Sequence, residues 1–277
     1  MKRHPEALDR SSRLLGPEAM ERLAQSSVLL LGLGGVGSYV AEALARVGVG
    51  RLILVDADRI SPSNLNRQLP ALHSTLGQMK TEVVARRLLE INPELSLDCR
   101  PVFFKSEADL PELGAVDYLV DAIDYVPAKK RLLLWAAQSG LPYLACMGTG
   151  NKFDPAQLRI GPLEKTEVCP LARLLRREAR RLGISRAQVV YSTEPPLPYS
   201  EQFWPQDGPA TAESEKQRLE TGARIPGLHK NCPPASLAFV PGSAGLLMAS
   251  RVVSDLARGQ ADQHIPQLKK RRRTATD

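Results

Sequence analysis

An apolar run, Val28-Leu29-Leu30-Leu31, ends abruptly in Gly32-Leu33-Gly34-Gly35-Val36-Gly37, and the residues beyond it take up a helical spacing. That order of buried strand, glycine turn and helix leaves the chain few folds to choose from. It opens a βαβ unit in which the free N–H groups and the positive end of the helix face an incoming phosphate. Side chains at Gly32, Gly34, Gly35 and Gly37 would block that close approach, or would resist the positive φ that some turn positions need. A second apolar run, Arg51-Leu52-Ile53-Leu54-Val55, ends at Asp56, about 20 residues past the glycines, where a ribose-binding acid is expected. These features suit NAD as well as ATP, and a tight turn without a ligand is a third reading.

Two cations shift the balance. Ser63-Asn64-Leu65-Asn66-Arg67-Gln68 follows, and Gly77-Gln78-Met79-Lys80 comes soon after. A dinucleotide needs no cation beyond the helix end. A triphosphate undergoing substitution does, because negative charge builds on the departing pyrophosphate. Arg67 offers a planar fork for phosphate oxygens and Lys80 a point charge. The alternative is that both are solvated surface cations. Further on, Asp117-Tyr118-Leu119-Val120-Asp121-Ala122-Ile123-Asp124 reads as a strand running into a loop. Ligands of open α/β sheets bind at the carboxyl ends of strands, so Asp121 and Asp124 are placed at that edge. A carboxylate there suits Mg²⁺, which bridges phosphate oxygens. Helix capping before Pro127 is the competing role, and it fits Asp121 better than Asp124.

As a set, Gly32 to Gly37, Asp56-Ala57-Asp58, Ser63 to Gln68, Gly77 to Lys80, Ile91-Asn92-Pro93 and Asp121 to Asp124 resemble the ATP-dependent adenylating enzymes of the ubiquitin-activating type. The resemblance spans roughly residues 10 to 150 and implies a nucleotide site built from Asp56, Asp58, Asn64, Arg67, Gln68 and Lys80. It assigns Asp56 to the ribose, Arg67 and Lys80 to phosphates, and Asp124 to Mg²⁺. Arg13, in Arg13-Leu14-Leu15-Gly16, matches an N-terminal arginine that in this family reaches into the ATP site of the other subunit, which implies a homodimer. ATP and Mg²⁺ are the implied cofactors, with a monovalent cation as a candidate addition.

The second half narrows the choice. Gly148-Thr149-Gly150-Asn151-Lys152-Phe153-Asp154-Pro155, Leu163-Glu164-Lys165-Thr166, Cys169-Pro170-Leu171-Ala172-Arg173 and Val189 to Glu194 are similar to the tRNA threonylcarbamoyladenosine dehydratases, a branch that closes the side chain of a modified adenosine into a ring. Sulfur-carrier activators usually carry two C-x-x-C pairs for zinc. Here Cys99, Cys146, Cys169 and Cys232 form no such pair, so that zinc site is not expected. Cys169 and Cys232 both precede proline, and neither is expected to act as a nucleophile. No sulfur-relay partner is legible.

The periodicities predict strands at 28–32, 51–55, 116–121 and 142–147, and helices at 36–47, 78–91 and 127–139. This alternation predicts a Rossmann-like α/β fold: a doubly wound, mostly parallel sheet with helices on both faces. A C-terminal extension of the same domain continues with a strand at 157–160, a helix at 170–182, a strand at 188–191 and a helix at 243–256. The expected organisation is a helical arm at 1–27, an ATP-binding unit at 28–150, a substrate-binding extension at 151–258, and a disordered basic tail at 259–277. Within the extension, residues 195–234 are rich in proline and polar residues, with Trp204 as the one large anchor. That stretch reads as a mobile loop or lid.

The formal net charge is +7 and is unevenly placed. Arg173, Arg176, Arg177, Arg180 and Arg181 lie on one predicted helix, with 173, 177 and 180 on one face and 176 beside it. Lys269-Lys270-Arg271-Arg272-Arg273 follows at the C-terminus. A solvated helix face and a solubilising tail are the plain readings. Together with an adenylating site, the two clusters suit RNA, here tRNA. No apolar run approaches the roughly 20 residues of a membrane span, no secretory segment opens the chain, and scattered cysteines suit a reducing compartment. A cytoplasmic enzyme is therefore expected. The competing functions are activation of a ubiquitin-like sulfur carrier at the same ATP site and, from a different class, non-catalytic binding of a dinucleotide.

Overall fold

The computed structural model describes residues 5–110, 112–197 and 234–268. Its strands in chain order are β1 (Ser27–Leu31), β2 (Arg51–Val55), β3 (Ser96–Arg100), β4 (Tyr118–Asp121), β5 (Tyr143–Cys146), β6 (Leu158–Pro162), the short β7 (Ile184–Ser185), β8 (Gln188–Ser192) and the short β9 (Gln267–Leu268). Seven of them form one sheet in the order β3-β2-β1-β4-β5-β8-β6. All neighbours run parallel except β6, which is antiparallel to β8. The chain winds outward from β1 in one direction, then restarts at β4 and winds the other way. The carboxyl ends of β1 and β4 therefore flank a topological switch point, the crevice where open α/β sheets bind ligands.

The helices are α1 (Asp9–Leu15), α2 (Pro17–Gln25), α3 (Gly37–Val47), α4 (Lys80–Ile91), α5 (Val126–Ser139), α6 (Pro170–Leu182) and α7 (Phe239–Ala257). They cover both faces of the sheet, which explains why β1 is apolar at every position instead of alternating. Val28 and Leu30 join the layer of α2, α3, α4 and α7, while Leu29 and Leu31 join that of α5 and α6. β8 and β6 extend the same sheet, and α7 packs back on α3, so the second half shares the core of the first.

The α3–α7 contact depends on small residues. Tyr39 Cβ would lie 2.8 Å from a Cβ placed on Gly245, and the carbonyl of Val36 would lie closer still. Helix α7 begins earlier than the 243–256 expected from sequence because Pro241 falls in its first turn, where a missing N–H removes no helical bond. The polar edge strand Ser96-Leu97-Asp98-Cys99-Arg100 was not anticipated; only alternate positions are apolar, and it is too short to stand out. The tail expected to be disordered from 259 is ordered as far as Leu268: a 3₁₀ turn spans Ala261–His264, and β9 pairs with β7. It is held there by a buried Pro266 and by His264, 3.4 Å from Asp255. Of the stretch 195–234 expected to be a mobile loop, residues 198–233, with Trp204 and Cys232, lie outside the described residues, as does the cluster Lys269 to Arg273.

Gly245→Ala is expected to lower unfolding free energy by roughly 1–3 kcal/mol, because α7 must lift from α3 to admit the methyl group. Leu246→Ala, at the neighbouring exposed position, should stay within about 0.5 kcal/mol. Urea titration of both variants checks the difference.

Candidate functional site

The glycine turn between β1 and α3 sits at the switch point. Gly32 has φ +89°, a left-handed conformation that favours glycine, and a Cβ there would lie 2.8 Å from the carbonyl oxygen of Ala122. The loop leaving β4 is thus pressed against the loop leaving β1. A Cβ on Gly37 would overlap the carbonyl oxygen of Gly32, so the start of α3 closes directly over the end of β1. Gly34 is roomier: the atom nearest a Cβ there is Gln68 Nε2 at 3.7 Å. Gly35 faces the aliphatic part of Arg67 and the ring of Pro241, each 3.3 Å from a Cβ position.

Asp56 leaves β2 and turns towards this loop. Its Oδ2 accepts the Leu33 N–H at 2.6 Å and its Oδ1 accepts the Asp58 N–H at 2.8 Å. Burial pushes its carboxyl above the usual carboxylate range, while the Lys80 ammonium pulls the other way. Lys80 opens α4 and is itself buried. Its Nζ donates to Asp58 Oδ2 at 2.6 Å and lies 3.9 Å from Asp56 Oδ1. The Asp58 side chain is 60% exposed. The geometry is a buried cation fixed from within by Asp56 and covered from outside by a displaceable carboxylate, as suits an ammonium that exchanges one anion for a phosphate.

The segment from Ser61 to Gln68 lines the next side. A 3₁₀ turn over Pro62–Asn64 is capped when the Ser61 N–H donates to Asn64 Oδ1 at 3.1 Å. Asn64 is buried and holds the backbone of this segment in shape. Arg67 Nη1 donates to the Ser63 carbonyl and to Asn66 Oδ1, at 2.8 and 2.9 Å, leaving an exposed guanidinium beside the glycine turn. Gln68 is buried, and its Oε1 has no hydrogen-bond donor among the described residues. Such an orphan acceptor next to Gly34 is what a hydroxyl or amino group of a nucleotide would satisfy.

The two acids after β4 separate. Asp121 is not a helix cap, and it does not face the crevice. It is fully buried and accepts from Lys129 Nζ at 2.8 Å, from the Tyr143 hydroxyl at 2.8 Å and from the Ile123 N–H at 3.1 Å. Lys129 is equally buried and also donates to the Ile123 carbonyl at 3.0 Å. Sequence reasoning missed this lysine, although a signal existed. Residues 128, 129, 132, 133 and 136 form the buried stripe of α5, so Lys129 occupies a core position eight residues after an acid. Asp124 is exposed, two residues beyond the Ala122 that abuts Gly32.

Arg13 lies on α1, exposed and paired with Asp9 at 2.8 Å. Its arm is anchored where Leu8 packs on Gly48, at the end of α3 opposite the glycine turn. On α6, Arg173, Arg177 and Arg180 are exposed. Arg176 turns inward to the carbonyl and hydroxyl of Thr166. Cys146 and Cys169 are buried, and burial pushes the Cys146 thiol up to about 12, which leaves it inert at neutral pH. Sequence reading also missed Glu194. Its buried carboxylate accepts the N–H groups of Phe153 and Asp154 at 3.0 Å, while the Lys152 ammonium binds its main-chain carbonyl.

The chain matches the ThiF family over residues 8–269. It is 38% identical over 252 residues to the tRNA threonylcarbamoyladenosine dehydratase of Bacillus subtilis (strain 168), covering 90% of this chain and 94% of that protein. It is 37% identical over 197 residues to the protein of the same name from Escherichia coli (strain K12), covering 66% of this chain and 72% of that one. Among solved structures, that of the E. coli tRNA N6-threonylcarbamoyladenosine dehydratase in complex with ATP matches with a TM-score of 0.75 at 27% identity, over 93% of this chain and 96% of that one.

Lys129→Met strands a buried carboxylate and is expected to lower stability by about 3–5 kcal/mol. The double variant Lys129→Met/Asp121→Leu removes both charges and should recover part of that loss. Denaturant unfolding of the single and double variants measures the difference.

Proposed function

The chain belongs to the ThiF family, and from that premise we propose that it is an ATP-dependent enzyme that dehydrates threonylcarbamoyladenosine in tRNA. The observation that carries this reading is the buried Lys80 ammonium between Asp56 and Asp58, beside the open glycine turn. A site that only docks a dinucleotide has no need of a buried, anion-exchanging cation. One that releases pyrophosphate does.

In this reading ATP is a co-substrate. The turn from Gly32 to Gly37 gives backbone N–H groups to its phosphates, Asp56 takes the ribose, and Asn64 and Gln68 shape the wall. Lys80 leaves Asp58 for a phosphate oxygen, and Arg67 adds a second cation. Asp124 is the residue that would hold Mg²⁺, and the ion when bound would offset the negative charge of the phosphates. The threonyl carboxylate of the nucleoside attacks the α-phosphorus, and the bond to pyrophosphate breaks. The neighbouring carbamoyl group then attacks the activated carbonyl and AMP departs, so the net change in the nucleoside is loss of one water. No nucleophile from the protein is needed, because the attacking group is held within the substrate at high effective molarity. That agrees with the buried, inert Cys146. The exposed Arg173, Arg177 and Arg180 supply phosphate contacts for tRNA, which carry affinity more than sequence information. The enzyme works as a cytoplasmic homodimer in which Arg13 completes the site of the other subunit.

Incubation with ATP, Mg²⁺ and tRNA, followed by mass analysis of the nucleosides, should show threonylcarbamoyladenosine lighter by one water. Asp124→Ala should lower turnover by at least about a hundredfold while leaving the thermal midpoint unchanged. Near-normal turnover with an unaltered Mg²⁺ requirement would remove Asp124 from the site.

Mixing two inactive variants, Arg13→Ala and Lys80→Ala, should restore part of the activity, because a hybrid dimer holds one site with both residues intact. Absence of recovery, once subunit exchange is verified, argues that each subunit completes its own site.

A further inference from the structure

Phe153 and Phe239 stand out among the exposed apolar side chains. They are 58% and 56% exposed, and their rings meet edge-to-face, 6.3 Å apart at 82°. Leu237, also exposed, adjoins them in sequence. Single exposed apolar residues are ordinary on protein surfaces. Two large aromatic rings facing water side by side form a patch, and such patches mark binding sites.

The backbone beneath the pair is firmly held. The buried carboxylate of Glu194 accepts the Phe153 N–H through both oxygens at 3.0 Å. Two residues earlier, the Asn151 N–H donates to the Ala235 carbonyl at 2.7 Å, and Asn151 Oδ1 accepts the Ala235 N–H at 2.8 Å. The segment leading to Phe239 is tied to the nucleotide site as well. Asn66 Nδ2 donates to the Ser236 carbonyl at 2.8 Å, and Pro241, two residues past Phe239, lies against Gly35 of the glycine turn. The aromatic pair is therefore a rigid platform at the rim of the crevice, a few residues from Arg67 and the turn.

We propose that Phe153 and Phe239 form the stacking surface for an unpaired tRNA base delivered to the nucleotide turn. This rests on the reading of the substrate given above and extends it. The reacting carboxylate hangs from an adenine, so that base or its neighbour must leave the stack of its loop to bring the carboxylate to the α-phosphate. Splayed RNA bases are held by aromatic faces, and stacking accepts any base because each has a π-face. Rings set at right angles offer a face and an edge together.

The test uses the full-length protein with Phe153→Leu, Phe239→Leu and the corresponding Tyr variants. Leucine keeps the apolar area and removes the π-face; tyrosine keeps both. Each Leu variant is expected to raise the KM for tRNA about tenfold, with ATP affinity and thermal midpoint unchanged, and each Tyr variant to stay near wild type. Unchanged KM in the Leu variants overturns the proposal. So does an equal loss in Leu and Tyr variants. A lowered midpoint or altered oligomeric state with unchanged KM also overturns it, showing that the chain's own 198–233 segment or a second copy covers the pair. Binding of an unmodified anticodon stem–loop RNA to wild type and to the Leu variants reads stacking without turnover. If wild type does not convert tRNA, the functional reading fails on its own, and this binding measurement still decides the fate of the platform.

Discussion

No side chain can be carried at Gly37, because a Cβ there would overlap the carbonyl oxygen of Gly32. Much else follows from that contact. It sets how steeply α3 leaves β1, and Gly32 in turn is pressed against Ala122, which fixes the separation of the loops after β1 and β4. The direction of α3 determines where Val36 and Tyr39 meet Gly245, and so where α7 begins and what its first turn touches. The crevice, its walls and its rim are thus all referred to one backbone-to-backbone approach.

Two buried lysines near this crevice illustrate how similar chemistry serves different ends. Lys129 and Asp121 are both fully enclosed, and Tyr143 and the Ile123 N–H complete the carboxylate's partners. Nothing in that pair is available for exchange. Lys80 is nearly as buried, but its closer partner, Asp58, is mostly in solvent. Replacing Asp58 by another anion costs little desolvation, because the departing carboxylate returns to water. The exposure of the partner, more than the burial of the lysine, separates the closed pair from the one that can exchange its anion.

Much of this was legible in the sequence, for a physical reason. Gly32 to Gly37, Asp56 and the run to β1 are local signals, in which periodicity and glycine placement report the backbone directly. The strands of the core show as uninterrupted apolar runs because both their faces are covered. Pairings that fold brings together from afar were less visible. Asp121 reads as an edge acid until Lys129 and Tyr143 are seen to close on it. Arg176 reads as one more basic residue on α6 until it is seen bound to Thr166. Strand β3 is short, polar and at the edge, so neither length nor burial pattern announces it. The ordering of residues 259 to 268 depends on His264 meeting Asp255, another contact with no local signature.

Asn151 has a consequence of a different kind. It holds φ +57°, which asparagine tolerates better than most residues, and its carbonyl accepts the Leu197 N–H at 2.8 Å while its side chain and N–H grip Ala235. Both ends of the stretch between Leu197 and Ala235 are therefore fastened to a single residue. Lengthening a closed loop raises its entropic cost only logarithmically, by about 0.6 kcal/mol per doubling. Asn151 thus makes this the place where the protein can gain or lose sequence, and so diversify, while the sheet and the crevice keep their dimensions.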